Sequence, residues 1–117
     1  MTTITLYGIS NCDTVKKARS WLDRRGIDYR FHDFRQDGLD ASAVSRWLEA
    51  LPLDQLVNKR STSWRGLDKA TQNNLSKDNA IPLLLAQPTL IKRPLVEVGD
   101  TIFCGFSADH FATQFSD

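Results

Sequence analysis

Thr3-Ile4-Thr5-Leu6-Tyr7-Gly8-Ile9-Ser10-Asn11-Cys12-Asp13-Thr14-Val15-Lys16-Lys17-Ala18 is the stretch that decides the fold. Thr3 to Tyr7 is rich in β-branched and aromatic residues and Gly8 closes it, which predicts a first strand. Ser10 and Asn11 are N-cap candidates, and Asp13 suits a first helical turn. Val15, Ala18 and Leu22 recur at helical spacing, with Lys16, Lys17, Arg24 and Arg25 on the polar side and Gly26 as a natural stop, so a helix is predicted over 13–25. Ile27, Tyr29 and Phe31 then alternate with Asp28, Arg30 and His32, which predicts a second strand. Strand, helix and strand in such quick succession form a right-handed parallel unit, so the class is α/β.

Beyond this unit, Asp37-Gly38 marks a turn. Asp40 caps a helix carrying Val44, Trp47, Leu48 and Leu51, stopped at Pro52. The middle of the chain is helical but less regular. One short helix is predicted over 53–57 and a second over 66–75. A third, capped by Asp78 or Asn79, runs to Ala86 with Pro82 in its first turn. The pattern reverts at Pro94. Leu95-Val96-Glu97-Val98, Gly99-Asp100 and Thr101-Ile102-Phe103-Cys104 read as a β-hairpin, ended by Gly105. Ser107 caps a final helix with Phe111 and Phe115 at i, i+4. The order is βαβ, a helical insert at about 38–88, then ββα. A four-stranded mixed sheet covered by helices is expected within one domain, 1–117.

Composition narrows the function classes. The chain has 117 residues, 41% hydrophobic and 25% charged, which is ordinary globular usage. Fifteen basic and 14 acidic residues leave a net charge of +1, which disfavours a strongly basic nucleic-acid binder. No apolar run approaches the roughly 20 residues that span a bilayer. The N-terminus lacks the basic and apolar segments of a signal peptide, so a cytoplasmic monomer with reduced thiols is expected. Two cysteines are too few for a disulfide framework or a cysteine metal cluster.

Cys12 carries the strongest chemical signal. It stands between a strand and a helix start, where backbone N–H groups and the helix dipole favour an anion and hence the nucleophilic thiolate. Lys16 and Lys17 add positive charge one turn on. The competing reading is an inert small residue near a turn. Val15 and Ile9 exclude a Cys-x-x-Cys dithiol, so the loop holds no resolving partner. A phosphatase-type cradle needs arginine six positions after its cysteine, where Ala18 stands. Lys92-Arg93-Pro94 is the second signal: Pro94 opens the hairpin strand, where a cis peptide is expected, and Arg93 offers bidentate recognition of carboxylates and oxyanions. A solvated surface arginine is the alternative. Asn58-Lys59-Arg60 and Trp64-Arg65 form a further basic stretch, read first as a solvated loop. Cys104 is expected to be a buried structural thiol, and His32 and the three tryptophans packing residues.

As a set, these segments resemble the arsenate reductase (ArsC)/Spx family, in particular its small YffB-type branch. The residues that carry the likeness run from Leu6 to Arg19, from Asp28 to Asp33, from Leu56 to Arg65 and from Leu90 to Leu95, with Gly105-Phe106-Ser107 at the end. The resemblance implies a thioredoxin-like fold with an inserted helical region. It implies a redox cysteine at Cys12, with Arg93 preceding a cis-proline, Pro94, beside it. No bound cofactor or metal is expected. Glutathione is the implied co-substrate, its carboxylates held by Arg93 with Lys16 or Arg60, and Asn11 lies in the same loop. Small oxidised substrates and glutaredoxin are the implied partners, with no membrane and no direct nucleic-acid contact. Family members that reduce arsenate also use an arginine after the hairpin and one in the insert, where Gly105 and Asn58 stand here. Loss of one charge-assisted contact to an oxyanion costs about 1.5–3 kcal/mol, which ranks arsenate reduction below thiol reduction. Spx-type regulators bind RNA polymerase and commonly carry a Cys-x-x-Cys switch, which Val15 breaks. A polymerase-binding regulator is the alternative reading.

Overall fold

The computed structural model describes residues 3–115, and the chain divides into two compact units. The first comprises residues 1–37 and 93–117, the second residues 38–92.

In the first unit, β1 (Ile4–Gly8) leads into α1 (Asp13–Arg24) and then β2 (Arg30–Asp33). After the second unit's sequence come β3 (Leu95–Val98), β4 (Thr101–Cys104) and the terminal helix, α7 (Ala108–Gln114). The sheet order is β2-β1-β3-β4, with β1 and β2 parallel and the other pairs antiparallel. This is the mixed four-stranded sheet of the expected thioredoxin-like fold.

Alternation sets the core. Leu6, Val96 and Phe103 stand side by side across three strands and join Val15, Ala18 and Leu22 of α1 and Phe111 of α7 in one buried cluster. Phe111 is fully buried and meets Trp21, Phe103 and Phe106 edge-on, with ring centroids 5.4, 5.7 and 4.8 Å apart. Gly8 lets α1 approach the sheet closely: a Cβ there would fall 2.6 Å from Val15 Cγ2.

The second strand is displaced from its expected place. It starts at Arg30, opposite Thr5, and ends at Asp33, opposite Gly8. The alternation of Ile27, Tyr29 and Phe31 is real burial, since all three pack on the core cluster. However, the chain leaves α1 through Gly26 at φ +66°, and Ile27 N is still bonded to Leu22 O. Packing therefore begins three residues before pairing does.

The second unit holds α2 (Ala41–Ala50), α3 (Leu53–Leu56), α4 (Thr62–Arg65), α5 (Lys69–Asn73), α6 (Lys77–Ala86) and a short 3₁₀ turn, Pro88–Leu90. Asp40 caps α2 as expected, accepting from Ala43 N. The helix expected over 66–75 is shorter, α5 alone, and α4 precedes it where no helix was expected. Ser61 caps α4, Gly66 ends it, and Asp68 restarts the chain as α5. The start of α6 is Ser76, not Asp78 or Asn79, and Pro82 falls inside the helix. Asn79 acts instead as a bracket, accepting from Ser76 N at 2.8 Å and donating to Asn74 O at 2.7 Å. α2 packs on α6, and Val44, Trp47 and Leu84 are fully buried. Val57 and Ile91 form an antiparallel bridge, flanked by bonds from Asn58 N to Leu90 O and from Lys92 N to Leu56 O.

Candidate functional site

The ends of four strands frame the candidate site in the first unit. Asp33 lies opposite Gly8 in the β1–β2 register. The β1–β3 ladder ends where Tyr7 faces Leu95, so the antiparallel register puts Pro94 next in line with Gly8. Gly105 follows in turn, donating its N–H to Pro94 O at 2.8 Å. The row Asp33, Gly8, Pro94, Gly105 thus crosses the whole sheet at the end where the Cys12 loop leaves β1. Pro94 is buried, and the Arg93-Pro94 peptide is cis.

The loop is four residues, Ile9 to Cys12. Cys12 N closes it on Ile9 O at 3.0 Å. Ser10 N reaches across to Asp33 Oδ2 at 3.1 Å. Cys12 is the N-cap residue of α1, extended at φ −84° and ψ 125°, and its side chain makes no capping hydrogen bond. The thiol is therefore not consumed in holding the helix. It is half-buried and packs at the rim of the core cluster. Lys16 N donates to Cys12 O at 3.0 Å, so Lys16 stands one turn along α1, and its side chain is exposed. Asn11 is exposed and Arg93 half-buried.

Sequence reasoning gave no role to Asp33. It is 3% exposed, and Oδ1 accepts from Arg35 N at 2.7 Å and Gln36 N at 3.3 Å. Burial pushes its carboxyl up, but the amides of Arg35, Ser10 and Gln36 outweigh that and hold it below the usual carboxylate range. The available signal was an acid at a strand end followed by a polar turn, the pattern of an Asx turn.

Cys104 is half-buried rather than buried, because β4 is an edge strand. It stands beside Leu95, and Leu95 beside Tyr7, so it belongs to the sheet face opposite Leu6, Val96 and Phe103. Cys12 packs with the latter set, and neither cysteine is in a disulfide. Gly105, at φ +86°, occupies a conformation that disfavours any side chain. His32 lies tilted against Tyr7, with ring centroids 4.9 Å apart. Arg19 is held on β2, with Nε 3.1 Å from Tyr29 Oη and its guanidinium 4.1 Å above the Phe31 ring.

Arg60 belongs to the second unit. It is exposed, and its N–H donates to Asn58 Oδ1 at 3.1 Å. With Asn58, Lys59 and Lys92 it lines a basic pocket of about 450 Å³, in which Lys59 pairs with Asp54 at 2.9 Å. A larger groove of about 490 Å³ in the first unit is lined by Lys17, Trp21, Arg24 and Phe106 and does not include Cys12. Among the described residues, no group of three or more His, Cys, Asp or Glu could hold a metal ion, and no helix is long and apolar enough to cross a membrane.

Comparison with known proteins gives a consistent picture. The ArsC family model matches residues 7–114. An uncharacterised protein of Haemophilus influenzae is 44% identical over 113 residues, covering 97% of this chain and 99% of its own. The global transcriptional regulator Spx of Streptococcus mutans is 25% identical over 108 residues, covering 91% and 78%. Among solved structures, a YFFB (PA3664) protein superposes with a TM-score of 0.90 at 42% identity, covering 95% of this chain and 97% of that one. An arsenate reductase related protein from Brucella melitensis gives 0.79 at 42% identity, covering 98% and 96%.

Proposed function

The chain belongs to the ArsC family, and on that premise we propose that it is a glutathione-dependent thiol–disulfide reductase with Cys12 as its single nucleophile. The observation that carries this reading is Cys12 itself: an N-cap residue of α1 whose thiol makes no capping bond, at the sheet end where Pro94 lies. A helix N-terminus favours the thiolate, which is the reactive form.

The reaction runs in three exchanges. The Cys12 thiolate attacks one sulfur of a substrate disulfide, forming a mixed disulfide and releasing the other half as a thiolate that takes up a proton. A glutathione thiolate then attacks the substrate-side sulfur's partner on Cys12, releasing the second substrate thiol and leaving Cys12 glutathionylated. A second glutathione thiolate attacks the glutathione sulfur and frees Cys12. One disulfide is reduced to two thiols, and two glutathiones are oxidised to one disulfide. Two glutathiones are needed because Val15 stands where a resolving cysteine would be. Arg93 and Lys16 hold the tripeptide's carboxylates, and Asn11 presents its amide to the peptide. The reaction requires no resident metal or cofactor, and the protein works as a cytoplasmic monomer, with glutaredoxin as an alternative thiol donor.

A Cys12→Ser variant tests the proposal: turnover of a low-molecular-weight disulfide with glutathione should vanish. Wild-type-like turnover would sink it. The Spx relatives favour a second reading, a non-enzymatic regulator that binds RNA polymerase. In that case polymerase would be retained on the immobilised protein while glutathione turnover is absent. Arsenate ranks third, because Gly105 offers no cation after the hairpin.

A further inference from the structure

We infer that Asp33 is a positioning residue for Cys12, tying the nucleophile's loop to the end of β2. The inference rests on reading Cys12 as the nucleophile. Asp33 is the one charged residue among the buried described residues. Its two carboxylate oxygens do different jobs. Oδ1 accepts from Arg35 N and Gln36 N, closing the turn that follows its own strand. Oδ2 turns the other way and accepts from Ser10 N, 23 positions earlier in the chain.

A turn alone would not need the second oxygen. The turn is also secured from outside, because Asp33 N donates to Asp37 Oδ2 at 2.9 Å and Asp37 N to Asp33 O at 2.8 Å. Nor does the sheet need it, since Phe34 N already takes Gly8 O at 2.9 Å at the end of the ladder. The bond to Ser10 lies beyond the ladder and acts on the loop. Within that loop, the bond from Cys12 N to Ile9 O fixes local shape but not orientation. The Asp33 bond supplies the orientation, and with it the placement of Cys12 at the start of α1. Displacing a reacting group by about 1 Å can cost two orders of magnitude in rate.

The carboxylate is also a negative charge, and charge alone would disfavour a nearby thiolate. The two roles therefore predict opposite signs when Asp33 is replaced. In a Cys104→Ser background, alkylation of Cys12 by iodoacetamide is followed by mass spectrometry across pH. Asp33→Asn keeps one acceptor for the turn but presents an amide N–H₂ to the Ser10 N–H. At neutral pH its alkylation should fall about tenfold and its pH profile should move upward. Asp37→Asn, which weakens the turn but leaves the Ser10 bond, should stay within about twofold of the parent. Ser10→Pro removes the backbone donor together with the Ser10 hydroxyl, which also bonds Asp33, and should reproduce the Asp33→Asn profile, which covers the case in which Asp33→Asn fails to fold. An unmoved profile, a downward one, or an equal effect of Asp37→Asn would overturn the inference. Iodoacetamide needs no glutathione, so failure of the glutathione reading leaves this test standing. An unreactive Cys12 in the parent protein would overturn both.

Discussion

Cys12 and Cys104 are both half-buried and neither is in a disulfide, yet they sit on opposite sides of the sheet and carry different expectations. Cys12→Ser should lower glutathione-dependent turnover by at least about a thousandfold, since a hydroxyl in place of the nucleophilic thiolate leaves only background binding. Cys104→Ser should leave turnover within about twofold. Asp33 makes a separate prediction for acid. Its folded carboxyl lies below the unfolded value of about 3.9, so its contribution is present above that value and is lost as pH falls through the folded one. Thermal melts between pH 7 and pH 2.5 should show wild type losing more stability than Asp33→Asn. Equal losses would remove Asp33 from the account. Cys12 was legible in the sequence because a strand, a glycine and a helix bracket it, although the N-cap expected at Ser10 or Asn11 is Cys12 itself. Asp33 was not, because its partner Ser10 is linked to it only by the parallel pairing of β1 and β2.

At the level of elements, the β1–loop–α1 segment depends on a close approach. Gly8→Ala should cost about 1–3 kcal/mol, because Val15 Cγ2 would lie 2.6 Å from the added Cβ and the helix must shift. Chemical denaturation measures it, and an unchanged midpoint would contradict the packing described. At the terminal helix, Ser107 accepts from His110 N at 3.1 Å, and Ser107→Ala should cost about 1 kcal/mol. Elements with a cap and a period were legible: α1, α2, the hairpin and α7 lie where the sequence puts them. Elements whose boundaries depend on tertiary pairing were not. Ile27 and Tyr29 alternate because they pack, while pairing waits until Arg30. In the second unit, Ser61, Asp68 and Ser76 each start a short helix that a hydrophobic period cannot divide.

For the whole molecule, stability in the first unit centres on Phe111, where Trp21, Phe103, Phe106 and Phe115 meet it. Phe111→Ala should cost about 3–5 kcal/mol by denaturant titration. The same unit supplies Cys12, Arg93 and Pro94 from segments far apart in sequence, because the sheet order places β1 between β2 and β3. That adjacency was legible only through family resemblance, since no local pattern tells a strand which neighbour to choose. In the proposed reaction Cys12 turns over through a glutathione adduct. The most direct measurement is the mass of the protein, digested and mapped, after exposure to oxidised glutathione and then to excess reduced glutathione. One glutathione is expected on Cys12, none on Cys104, with complete removal by the reduced thiol. No adduct on Cys12, or an adduct that reduced glutathione does not remove, would contradict it.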